Sequence, residues 1–116
     1  GAAFLTNQGV APLVVSLVAF HTGAEFEAEE RGLIGELELY ERPPQNLLDA
    51  LILCDLTVSP LGEYTVVGSR IAEIISRYGA THPVSRALRR SSPYLRTCCA
   101  RAAALVSAQE RGISVF

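Results

Sequence analysis

The stretch that most constrains this chain is residues 46–57, NLLDALILCDLT. It is apolar around most of a helical circumference, and a helix of that kind is normally surrounded by other helices. Near its C-terminal end it carries Asp55. A lone ionised carboxylate is too costly to bury, so Asp55 is expected to be paired, protonated or bound to a cation. An ion pair with an arginine such as Arg70 or Arg86 and a ligand role both satisfy that demand. Asp49 lies six residues earlier, which projects it about 120° away. The two acids therefore cannot form a same-face pair.

Pro43-Pro44 starts this helix sharply, and the rest of the chain divides in the same manner. Residues 2–8 read as the tail of a helix ended by Gly9. Pro12 opens a second, with Leu13, Val14, Leu17, Val18 and His21 at helical spacing, closed by Thr22-Gly23. The acidic residues 24–31 form a third helix that breaks or bends at Gly32. Residues 33–40 continue it with Leu33, Leu37 and Tyr40 on one side.

A loop over residues 57–65 leads to a helix over 66–78, capped by Thr65 and ended by Gly79. Val67, Ile71, Ile74, Ile75 and Tyr78 make its stripe, and Glu73 and Arg77 have the order that favours a helical ion pair. Pro83 and Pro93 each fit the start of a further helix, the second with Ser92 as its cap. Leu95, Cys98, Cys99, Ala102 and Val106 form its inner face until Gly112, with an apolar tail beyond it, residues 113–116, suited to a groove. No stretch alternates with period two. The expectation is all-α: one domain over residues 1–116, a bundle of about five to six helices.

At 116 residues the chain holds one hydrophobic core. A hydrophobic fraction of 49% and a mean hydropathy of +0.27 are high for a small soluble monomer. The chain is thus expected to meet a second copy, another chain or further sequence of its own. From the start at GAAFLTNQG and the absence of Met, the natural N-terminus is expected to lie upstream. The uncharged run after Pro12 ends at Phe20, short of the roughly 20 residues a spanning helix needs, so no membrane segment is expected.

All ten basic residues are arginine, and they are unevenly placed. Residues 1–73 hold eleven acids and three Arg, whereas residues 74–116 hold seven Arg and one acid. Either the basic third faces phosphate, which Arg binds bidentately, or the two halves pack with complementary charge. A net charge of −2 argues against nucleic acid as a partner. Cys54, Cys98 and Cys99 are too few for a disulfide framework, and the adjacent pair lacks zinc-ligand spacing. A reducing, cytoplasmic setting fits them. His82, directly before Pro83, reads as a turn residue.

The segments HTGAEFEAEERGL (residues 21–33), LLDALILCDLT (47–57), RIAEIISRYGATHPVSRAL (70–88) and SPYLR (92–96) together resemble the C-terminal half of HD-domain proteins. These belong to the metal-dependent phosphohydrolase superfamily, all-helical and named for a His-Asp doublet. The resemblance implies that Asp55 matches a late metal-ligating Asp on a core helix. His21 matches a site-lining His, with Phe20 where relatives often have another. It further implies a divalent metal that polarises a nucleotide-like phosphate ester and activates water. No residue matches the early His or the doublet, and neither His is followed by Asp. The expectation is that another segment or another chain completes the site, or that catalysis has been lost. A non-catalytic helical interaction or oligomerisation module is the alternative.

Overall fold

The computed structural model describes residues 1–110, with side chains as far as Ser107. The expected stop at Gly112 and the apolar tail of residues 113–116 lie outside the described residues. The chain is all-helical, a small helical bundle. Its elements are α1 (Ala2–Asn7), α2 (Pro12–Phe20), a 3-10 turn (His21–Gly23), α3 (Ala24–Arg31), α4 (Ile34–Leu37), α5 (Gln45–Leu56), α6 (Val67–Tyr78) and α7 (Pro83–Glu110).

Local chemistry sets most of these limits. Pro12 occupies the first turn of α2, where its missing N–H costs nothing. At the end of α3, Leu33 N–H donates to the Ala28 carbonyl at 2.7 Å and Gly32 N–H to the Glu29 carbonyl at 3.3 Å, a Schellman closure. Beyond that closure the chain makes only the single turn of α4. Leu37 and Tyr40 pack on the core, whereas Leu33 is exposed. Pro44 caps α5 through its carbonyl, which accepts from Leu47 N at 3.2 Å and Leu48 N at 3.1 Å. Thr65 does not cap α6: Val66 holds that position without a side-chain bond.

The core gathers Phe20, Leu48, Ile52, Leu56, Val67, Ile71, Ile74, Leu88, Leu95, Cys98 and Cys99. On α5, Leu48, Ile52 and Leu56 recur at spacing four and are fully buried. The helix is not enclosed on all sides, because Leu47, Ala50 and Cys54 on the other side are exposed. Burial pushes the Cys98 thiol up and the Cys99 thiol to about 11, so both behave as inert small hydrophobes. Cys54 alone among the three is exposed.

The two expected C-terminal helices are one. Helix α7 runs for 28 residues with Pro93 inside it. Proline there removes a bond to the Arg89 carbonyl and crowds it, but Arg89 and Pro93 are both on the exposed side, where water reaches the freed oxygen. Packing of Leu88, Leu95, Cys98, Cys99 and Ala102 on either side of Pro93 holds the helix continuous. Val106, expected inside, is 39% exposed. Pro93→Ala should raise stability by about 1–2 kcal/mol, part of the interior proline penalty, read from the urea midpoint at unchanged slope.

Charge complementarity joins the halves. Arg86 Nε donates to Glu30 at 3.0 Å, and Arg90 to Glu30 at 3.0 Å and to Glu29. Thus α7 lies along acidic α3, and these arginines do not form a free phosphate-facing surface. The expected Glu73–Arg77 pair is present at 3.3 Å, with Arg70 on the other side of Glu73 at 2.5 Å. Among the described residues no helix is long and apolar enough to cross a membrane.

Candidate functional site

The buried acid of α5 is Asp49, not Asp55. Asp49 is 4% exposed and takes a bidentate bond from Arg101, Nε at 2.7 Å and Nη2 at 2.9 Å, plus Gln45 Nε2 at 2.8 Å. Gln45 also reaches the Tyr94 hydroxyl at 3.2 Å and the Cys98 sulfur at 3.6 Å. Arg42 extends the cluster to Glu25, Gln45 and Tyr94. The set ties α3, α5 and α7 together, and none of Asp49, Arg101, Gln45, Tyr94 and Cys98 lines either cavity that Asp55 borders.

The Arg101 guanidinium beside Asp49 holds its carboxyl below the usual range, opposed by burial. Arg86, then Arg90, do the same for Glu30. A carboxylate whose folded value is depressed contributes stability in full above its unfolded pKa, and that contribution is lost as pH falls through the folded value. Unfolding midpoints should therefore hold between pH 7 and 5 and drop progressively below about pH 4. Asp49→Asn should flatten the drop, which thermal melts across that range would read.

Asp55 stands elsewhere. It is half-buried on the last turn of α5 and accepts a hydrogen bond from the Thr22 hydroxyl. Neither arginine considered for it is its partner, since Arg70 serves Glu73 and Arg86 serves Glu30. Thr22 is the one non-glycine residue at positive φ among the described residues (φ 45°, ψ 49°). A β-branched residue in that region stores about 1–3 kcal/mol, and such strain concentrates where surroundings over-determine a functional group. The bond to Asp55 is one such determinant. Reading Thr22-Gly23 as no more than a helix end missed it, though Gly23 was its local signal.

His21 is exposed at the start of the same turn. Its Nδ1 lies 2.6 Å from the Val18 carbonyl, which can only accept, so Nδ1 carries hydrogen and Nε2 is left for a ligand. Two open cavities share His21 and Asp55 in their walls. The smaller, about 220 Å³, continues along Thr22, Glu27, Arg77, Tyr78 and Ser91. The larger, about 560 Å³, is lined by Val18, His21, Leu51, Cys54, Asp55, Val58, Ser59 and Arg70. Arg70, considered beforehand as an ion-pair partner of Asp55, shares this cavity with it instead, whereas Ser59, from the loop after α5, carried no signal in the sequence. His82 keeps the turn role expected of it, accepting from Val84 N at 3.1 Å.

The metal reading fits only in part. His21 and Asp55 border common cavities, but among the described residues no group of three or more His, Cys, Asp or Glu could hold a metal ion. Two donors do not make a catalytic metal site, which needs about three protein ligands and an open position. Comparison with family models, curated proteins and solved structures gives no match for this chain.

Proposed function

We propose that this chain supplies part of an HD-type, metal-dependent phosphohydrolase centre acting on a nucleotide-like phosphate ester. The remaining ligands would come from a complementing N-terminal segment or another chain. The observation that carries the reading is that Asp55 and His21, the two residues singled out by the HD resemblance, line the same two cavities. Thr22 orients the Asp55 carboxylate, and Val18, Leu51 and Val58 give the larger cavity an apolar wall. No hydrolytic step is assigned to the chain alone, because its donor set among the described residues is incomplete.

A complementing segment needs a face to pack on. Leu13 and Val14 of α2, Leu47 and Cys54 of α5, and Val58 are exposed apolar residues on elements that border the larger cavity. These exposed apolar residues also support the second reading, a non-catalytic module that pairs with a partner or a second copy.

Titration with Mn²⁺ separates the two. The chain alone should show neither saturable Mn²⁺ binding nor turnover of p-nitrophenyl phosphate. Joined to an upstream segment that carries a His-Asp doublet, it should show both, and Asp55→Asn should remove both. Binding indifferent to Asp55, or activity in the 116-residue chain abolished by Asp55→Ala, would overturn this assignment of parts. Under the second reading, solution mass gives an oligomer and Asp55→Asn leaves it intact.

A further inference from the structure

The larger cavity is bordered by a guanidinium with one donor that its own surroundings leave unsatisfied. Arg70, on the first turns of α6, has a side chain only 14% exposed. Its Nη1 donates to Glu73 Oε2 at 2.5 Å, while Nε is shielded from solvent and has no acceptor among the described residues. Withholding that one N–H from water without an acceptor is costly. Asp55 borders the same cavity but is bonded to Thr22 and forms no ion pair with Arg70.

Ser59 adds a second donor. Its Oγ accepts from Leu61 N at 3.3 Å and Glu63 N at 3.2 Å, which leaves its own hydrogen to give. Val18, Leu51 and Val58 supply an aliphatic wall beside these polar groups. The arrangement is that of a small-molecule site, mostly apolar with a few placed polar groups.

We infer that this cavity is a receptor for a small organic oxyanion with an apolar body. Arg70 and Ser59 bind the anionic head, and the ring or chain lies on Val18, Leu51 and Val58. The inference deepens the phosphohydrolase reading and rests on it for the choice of a phosphate monoester as the anion. The recognition itself requires no metal. Arg is suited to the task because its planar fork engages two oxygens of one phosphate.

The experiment is a titration of the metal-free 116-residue chain with phenyl phosphate, monitored by amide chemical shifts. Saturable shifts are expected at Val18, Leu51, Val58, Ser59 and Arg70. Arg70→Met should weaken binding tenfold or more, and Arg70→Lys about threefold, since it keeps the charge but loses the fork. Phenol and inorganic phosphate should each bind at least tenfold more weakly than phenyl phosphate. Arg31→Met, which alters an arginine outside this cavity, should change nothing. A thermal melt of each variant establishes that it is folded, and Arg70→Lys carries the test should Arg70→Met not fold. Undiminished binding in a folded Arg70 variant overturns the inference, as do shifts confined to the Arg86–Arg90 side of α7. Inorganic phosphate binding as well as phenyl phosphate overturns the apolar-body part. Because metal is absent throughout, failure here leaves the Mn²⁺ prediction standing, and failure there leaves this one standing.

Discussion

Asp49→Ala is expected to cost about 2–3 kcal/mol at pH 7, whereas Asp55→Ala should cost less than about 1 kcal/mol. The difference comes from what each carboxylate leaves behind. Without Asp49, Arg101 loses both of its acceptor oxygens and Gln45 loses one partner inside the α5–α7 contact. The figure stays below the largest costs of breaking a buried pair because the Arg101 side chain is 49% exposed and can be rehydrated. Asp55 is half-buried, and its bond from Thr22 holds a strained backbone. Removing it releases that strain along with the bond. Denaturant unfolding of the two variants at equal slope decides the matter, and the opposite order would make Asp55 the structural acid after all.

Gly23→Ala is expected to destabilise by about 2–4 kcal/mol, the largest loss foreseen for a change of one methyl group. Gly23 has φ +73°, and a Cβ there would lie 3.2 Å from Ser91 Oγ, 3.3 Å from Ser91 Cβ and 3.6 Å from Leu95 Cδ2. Ser91 and Leu95 are buried on α7, so neither can swing aside freely. Positive φ contributes about 1–2 kcal/mol and the crowding the rest. Gly9 provides the control, since it has φ +74° but nothing within 4 Å of an added Cβ. Gly9→Ala should therefore show the backbone penalty alone. Combining Gly23→Ala with Ser91→Gly should lose less than the sum of the single changes, because the contact is shared. Strict additivity, or equal costs at Gly9 and Gly23, would show that the 3-10 turn is not pressed against α7.

The packing of α6 and α7 explains which parts of the fold were legible in advance. The stripe of α6 was readable because Val67, Ile71 and Ile74 meet the core through helical spacing alone. Pro12, Gly32, Pro44 and Gly79 marked ends because backbone geometry acts within a few residues. Pro93 misled for the complementary reason. Its local penalty was real, but the packing of Leu88 and Leu95 around it is a long-range term that a local signal cannot weigh. Asp49 and Asp55 were both visible in one helix, and helical geometry alone set them 120° apart. Which of them faced Arg101 depended on the placement of α7, some fifty residues later.

The amino-acid sequence was enough to determine an all-helical chain, most of its helix limits, and the separation of acids from arginines along it. These rest on dihedral restriction, helical periodicity and net charge, all of which are local or additive. Tertiary structure alone decided that Asp49 is the buried acid, that α7 is unbroken and that Thr22 is held at positive φ against Asp55. It also decided that Arg70 and Ser59 share a cavity with His21 and Asp55. Those outcomes depend on which surfaces meet, and contacts between residues far apart in the chain are set by packing of the whole bundle.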